Sequence, residues 1–309
     1  MTLLMGQMAL AALVAAIIAM LLTPGVKRLA TRAGVVRVPR GRDAHDKPTP
    51  LWGGLAMYGG FMVSLALARL FFGKEDLFLR HGQHPVLGIL LGGTVIALVG
   101  MLDDKYDLSP KIQAASILGG GLIAALLGAN IRGITNPFLP PDSAYTFHNY
   151  IDLGAMSVPV TMLWIFLVAK TFDFLDGLDG LAAGVCAISA AAMGLLAASR
   201  HDPAVALMAG ALVGACIGFL RYNYSPASIF MGTIGAQFLG FVLASLSVVG
   251  ALKITGVIAV VIPLLVLGVP VFDGLFVIGK RIWLRTDPTK PDRTSHIHHR
   301  LATYGQPGE

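Results

Sequence analysis

The octapeptide Asp173-Phe174-Leu175-Asp176-Gly177-Leu178-Asp179-Gly180 sets three carboxylates between two long apolar runs. Ionised side chains beside such runs are expensive to place and by default mark a function. On a helix, Asp173 and Asp176 at i and i+3 share a face with Lys170 close by, while Gly177 and Gly180 loosen the turn and expose backbone N–H groups. That combination suits a metal or a phosphate; the competing reading is a short hydrophilic turn between two spans. A second acidic pair, Asp103-Asp104, closes another apolar run and leads into Lys105-Tyr106-Asp107-Leu108-Ser109-Pro110-Lys111. Adjacent carboxylates repel unless a proton or a cation lies between them. A hard divalent ion held by oxygens and bridging to a phosphate, with Lys111 as a second phosphate contact, is the chemistry this pair offers. The plainer reading is a solvated loop in which the two aspartates cap the next helix.

Three further segments carry polar groups next to apolar runs. In His45-Asp46-Lys47-Pro48-Thr49-Pro50, followed by Trp52-Gly53-Gly54, the prolines hold the chain extended and the glycines permit close backbone approach. His45, Lys47 and Thr49 are placed to meet an anion at a membrane surface, whereas Lys27, Arg28 and Arg32 read as ordinary topological charge. In Arg221-Tyr222-Asn223-Tyr224 and on to Phe230-Met231-Gly232-Thr233, the Asn223 amide and the Phe230 ring can hydrogen-bond and stack on a nucleobase; an interfacial aromatic belt is the alternative. Near the C-terminus, His296, His298, His299 and Arg300 suggest either a metal site or an anion grip. His298 and His299 are adjacent and cannot share one helix face, so a compact zinc site is not indicated and phosphate contacts are favoured over a plain basic loop.

These segments need elements to hold them. The chain has 309 residues, 55% hydrophobic and only 13% charged, with a mean hydropathy of +0.74, too much apolar surface for one water-soluble core. The expected fold is an all-α polytopic membrane protein, a single transmembrane domain over residues 1–309. About nine spans fall near 3–22, 51–72, 85–102, 112–130, 157–172, 180–199, 204–220, 233–250 and 254–272. Most of the 23 Lys and Arg residues lie on alternate loops at 23–50, 103–111, 173–180 (with Lys170 just before), 221–232 and 273–309. Positive loops stay in the cytoplasm, which puts the N-terminus outside and the C-terminus inside. No Lys or Arg precedes the first run, so it reads as an uncleaved span. The net charge of +6 reflects this topology and anionic substrates rather than nucleic acid. The outer segment 131–156 is expected to be turn-rich, with room for a hairpin. Cys186 and Cys216 fall inside spans and read as small packing residues.

Together the motifs resemble the polyprenyl-phosphate N-acetylhexosamine-1-phosphate transferase family. The matching pieces are HDKPTPLWGG at 45–54, DDKYDLSPK at 103–111, FDFLDGLDGLAAG at 172–184, RYNYSPASIFMG at 221–232 and SHIHHRL at 295–301. The last resembles the branch that uses UDP-N-acetylglucosamine. The resemblance implies that a polyprenyl phosphate, typically undecaprenyl phosphate, attacks the β-phosphorus of a UDP-N-acetylhexosamine, releasing UMP. It implies Mg2+, with Mn2+ as a substitute, and a site on the cytoplasmic face of a bacterial inner membrane, with a homodimer as one candidate assembly. Carried over by motif, Asp103, Asp104, Asp176 and Lys111 would be catalytic, with Asp173 and Thr233 at metal positions. Gly177, Leu178, Asp179, Asn223 and Phe230 would meet the nucleotide, and Lys47, Thr49, His296, His298, His299 and Arg300 the phosphates.

Two departures from the family pattern bear on chemistry. The family's Phe-Met-Gly segment continues with a metal-binding aspartate, and here that position is Thr233, which brings no negative charge. Conversely, position 173, commonly asparagine in the family, is aspartate here. Relatives also continue past the histidine motif with further spans, whereas this chain stops at Glu309. A catalytically impaired member that binds UDP-sugar or lipid is one rival reading. A proton- or cation-coupled transporter is the other, and it would place carboxylates in mid-span rather than at span ends.

Overall fold

The computed structural model describes residues 1–38, 48–72, 83–135, 150–251, 268 and 279–280. Among these, eight α-helices follow one another: α1 Thr2–Arg32, α2 Gly53–Phe72, α3 Pro85–Tyr106, α4 Pro110–Leu126, α5 Ser157–Leu175, α6 Leu181–Ser199, α7 Pro203–Asn223 and α8 Gly232–Ala251. Prolines open α3, α4 and α7, where a missing N–H costs nothing. Seven helices are long and apolar enough to cross a membrane, and α4, at 17 residues, is the shorter eighth. The chain is an all-α polytopic membrane protein. The expected ninth span, 254–272, lies outside the described residues apart from residue 268.

Helix ends depart from the sequence expectation in one consistent way. The first span was expected to stop near residue 22, but α1 has 31 residues and so runs about 46 Å, well beyond an apolar slab of about 30 Å. Its last turns, with Lys27, Arg28 and Arg32, therefore continue past the span as helix. α3 likewise carries on through Asp103 and Asp104, and α5 through Asp173 to Leu175. Asp103, Asp104 and Asp173 sit on the final turns of helices rather than in loops, while Asp176 and Asp179 follow the end of α5.

The helices alternate in direction, as loop-to-loop hydrogen bonds at one end show. Leu51 N–H reaches Val35 C=O, Trp52 Nε1 reaches Met101 C=O at 3.2 Å, and Gly53 and Gly54 N–H reach Phe230 and Met231 C=O. The C-terminal ends of α1, α3, α5 and α7 thus meet the N-terminal ends of α2, α4, α6 and α8. A short antiparallel pair, β1 Val36–Arg37 with β2 Thr49–Pro50, lies at this end. At the opposite end β3 Gly133–Thr135 pairs antiparallel with β4 Tyr150–Asp152, within the segment 131–156 expected to have room for a hairpin.

Small residues allow the close packing. Gly210, Gly214 and Gly218 line one face of α7 against Met8, Ala12 and Ala16 of α1, where any Cβ would strike backbone carbonyls. α8 is buried nearly all round, as suits a helix apolar on every face, and packs on α3 and α5. Its N-terminal turn is pinned where Gly54 lies against Gly235 and Gly100 against Ile234, neither with room for a side chain.

Candidate active site

One hydrogen-bonded chain of side chains crosses the acidic end. Asp103, buried in the last turn of α3, accepts at Oδ1 from Leu108 N–H (3.1 Å) and from Gln113 Nε2 (2.8 Å) on α4. The other end of that amide, Gln113 Oε1, accepts from Lys170 Nζ on α5 at 2.7 Å. Lys170 also donates to Asp173 Oδ2 at 2.6 Å, and the same oxygen accepts from Gln237 Nε2 of α8 at 3.3 Å. The direction of the Gln113 amide follows from chemistry, since a flip would set its carbonyl against a carboxylate and its NH2 against an ammonium. Two motifs separated by some seventy residues are therefore linked, Asp173 directly to the Lys170 ammonium and Asp103 to it through the Gln113 amide.

Asp104, the next residue on α3, faces α8 instead. Its Oδ1 accepts from Thr233 N–H at 2.8 Å, and the Thr233 hydroxyl and Ile234 N–H face the same carboxylate. An anion at a helix N-terminus meets unpaired N–H groups and the positive end of the helix dipole. Of the two aspartates expected to cap the next helix, Asp104 caps α8 instead, and Asp103 accepts from Leu108 N–H and the Gln113 side chain. Gly232, at φ +71°, is required here, because a Cβ would run into the Asp104 carboxylate. The second oxygen, Asp104 Oδ2, is buried and has no hydrogen-bond partner.

Asp176 caps α5 in the same neighbourhood. Burial first, then the charge of Asp173, with Asp104 and Asp179 adding to it, pushes its carboxyl well above the usual carboxylate range; Arg37 of β1 pulls the other way. Asp179 and Asn223 knit the loops beside it. Asp179 Oδ2 accepts from Ala227 N–H at 2.9 Å, while Asn223 accepts from Gly180 N–H and donates to Ile229 C=O. Gly180, at φ +75°, supplies the left-handed turn that starts α6.

The carboxylates fall into two groups. Asp103, Asp173 and Asp179 are engaged by donors of the chain itself, whereas Asp104 keeps an unpartnered buried oxygen and Asp176 is held among like charges. Among the described residues no three acidic, histidine or cysteine side chains converge on a point that would cage a metal. Magnesium does not require such a cage, since it binds through one or two carboxylates, retained waters and substrate phosphates. An orphaned carboxylate oxygen beside a second, charge-crowded carboxyl fits that pattern.

The remaining sequence-derived residues are placed as follows. Thr49 is buried in β2, Lys111 is exposed on the first turn of α4, Gly177 is exposed, and Leu178 and Phe230 are half-buried, all at the acidic end. Phe230 joins the site through its backbone, bonding Pro50 C=O and Gly53 N–H. Lys47, His296, His298, His299 and Arg300 lie outside the described residues. Sequence reasoning passed over Gln113, Gln237 and Arg37, and noted Lys170 only as a neighbour. The two glutamines had a signal, because an amide inside an apolar helix is costly unless it is bonded. Arg37 had none, being one basic residue among several.

The fold and this end together define a polytopic membrane protein with a carboxylate-rich cluster where alternate loops meet. The model of glycosyl transferase family 4 matches residues 86–251. A probable undecaprenyl-phosphate N-acetylglucosaminyl 1-phosphate transferase of Bacillus subtilis is 34% identical over 97% of this chain and 79% of its own length. A decaprenyl-phosphate N-acetylglucosaminephosphotransferase of Mycobacterium tuberculosis is 33% identical over 97% and 76%. An undecaprenyl-phosphate alpha-N-acetylglucosaminyl 1-phosphate transferase of Escherichia coli K12 is 25% identical over 90% and 72%. The chain belongs to glycosyl transferase family 4.

Proposed function

We propose that this protein transfers N-acetylglucosamine 1-phosphate from its UDP derivative to a polyprenyl phosphate at the cytoplasmic face of a bacterial inner membrane. An oxygen of the lipid phosphate forms a bond to the β-phosphorus, the bond from that phosphorus to the bridging oxygen breaks, and UMP leaves with the bridging oxygen. The observation that carries the reading is the meeting of Asp103, Asp104, Asp173 and Asp176 at one end of the bundle, on helix ends that the charge pattern assigns to the cytoplasm.

The residues have distinct tasks in this scheme. Asp104 and Asp176 are the carboxylates that would hold Mg2+ or Mn2+, in place of the Asp173 and Thr233 assignment made by motif. When bound, such an ion offsets the charge of the diphosphate and polarises its oxygens. Lys111, exposed on the first turn of α4, holds a phosphate through its ammonium. Asp179 and Asn223 keep the loops at 177–180 and 223–230 in register, shaping the nucleotide's side of the site. No residue has to remove a proton, because a phosphate monoester with its second pKa near ~6 is already an anion at neutral pH. Alternating helices leave apolar faces for the lipid tail. Release of UMP from UDP-N-acetylglucosamine and polyprenyl phosphate, compared across other UDP-sugars with and without Mg2+, tests the assignment; no release with any sugar would refute it.

A second reading has a specific observation behind it. The Thr233 side chain faces Asp104 with a neutral hydroxyl where the family resemblance implies another carboxylate, so donor binding without turnover is the outcome if metal affinity is too low. Calorimetric titration of UDP-sugar beside the UMP assay separates the two, since the binding-only reading gives heat without UMP.

A further inference from the structure

We infer that the ammonium of Lys170 is a resident cation of the acidic end, one that withholds Asp173 and Asp103 from a divalent ion and leaves Asp104 and Asp176 to take it. Four observations carry this. Lys170 Nζ is held by two acceptors at 2.6 and 2.7 Å, the Asp173 carboxylate and the Gln113 carbonyl. The pair is largely shielded, with side-chain exposures of 16% and 18%, so solvent does not readily take over either partner. Asp173 Oδ2 receives a second donor from Gln237, an amide that is itself 1% exposed. Finally, Gln113 passes the contact on to Asp103 at 2.8 Å, so one ammonium orders both acidic motifs.

The consequence is competition. A shielded ion pair loses much when one partner is removed, and an incoming ion must displace the ammonium before it can bond to the engaged Asp173 oxygen. Asp104 presents the opposite case, a carboxylate oxygen with no donor to displace. Lys170 is thus a positioning residue: it sets which carboxylates remain available, and it supplies positive charge at a site where Thr233 has removed a negative one. This rests on the reading of the acidic end as a divalent-ion site, and the test separates the two.

The experiment is Mn2+ binding to the purified full-length protein in lipid nanodiscs, followed by the loss of the free-ion electron paramagnetic resonance signal. Lys170→Met should bind Mn2+ more tightly, by about tenfold, because a further carboxylate becomes available. Asp173→Asn alone should leave the wild-type affinity unchanged, the double variant should return to the wild-type value, and Lys170→Arg should behave as wild type. Asp104→Asn should lose binding. A merely structural role for Lys170 would weaken or preserve binding in Lys170→Met, and either result overturns the inference while leaving the ion site standing. Should Lys170→Met fail to fold, Asp173→Asn decides alone, since loss of Mn2+ in that variant refutes the competition. Absence of Mn2+ binding in the wild type overturns the ion site and the inference together.

Discussion

At the acidic end, side chains from α3, α4, α5, α7 and α8 bond across as many as 129 sequence positions, whereas among the described residues the opposite end is held by a short hairpin and a few side-chain contacts. There Arg132 donates to Gln83 Oε1 at 2.6 Å on the exposed surface, and Thr161 ties the Ile131 N–H to the first turns of α5. A cleft of about 310 Å³ opens between Asn130, Arg132, Asp152, Gly154, Ser157 and Val158. Both ends contain charged groups and unpartnered buried atoms. They differ in what fixes the charges: at the acidic end Asp103, Asp104 and Asp173 each accept from a residue of another helix, Gln113, Thr233 and Gln237, while at the hairpin Asp152 accepts from Gly154 N–H, two residues away. Chemistry that depends on held geometry belongs at the first end, and the second can vary without disturbing it.

The contrast is broken most severely at Asp104. Asp104→Asn keeps an acceptor for the Thr233 N–H but removes the negative charge, and UMP release should fall on the order of 100-fold or more, as for loss of a group that holds a metal. Gln113→Leu should cost about 1–3 kcal/mol in stability, because both Lys170 and Asp103 lose a partner in a shielded setting. Thermal unfolding of the protein in detergent measures it.

A smaller effect comes from pH. The Asp176 carboxyl is raised in the folded protein, so its contribution to stability is fully present below the unfolded value of about 3.9 and is lost as pH rises through the folded one. Asp176→Asn lacks that loss. With divalent ions chelated, its melting temperature should exceed that of the wild type by a margin that is absent near pH 4 and grows as the pH is raised. Arg132→Ala should do least: the site is exposed and far from the carboxylates, so stability should move by no more than about 0.5 kcal/mol and UMP release should be unchanged. A large loss of activity in that variant would erase the distinction between the two ends.

The sequence made the outline of this end readable because its motifs sit at the ends of apolar runs that must alternate across a bilayer. Eight of the nine expected spans correspond to helices. What it concealed was helix length past the apolar stretch: Asp103, Asp104 and Asp173 look like loop residues to a hydropathy window, yet each lies on a continuing last turn. The division of the carboxylates into engaged and open was also out of reach. It depends on where Gly54 and Gly100 let α8 approach, which brings Thr233 to Asp104 and Gln237 to Asp173, and no local pattern encodes that meeting. Arg37 was hidden for the same reason, since its charge acts on Asp176 across the fold from the β1–β2 pair.

The most direct measurement is UMP release by the purified protein supplied with UDP-N-acetylglucosamine, polyprenyl phosphate and Mg2+. The account predicts release that needs all three and that disappears in Asp104→Asn. Release that persists without the lipid phosphate, or no release by a protein that still binds the sugar nucleotide, would contradict a transferase site at this end of the bundle.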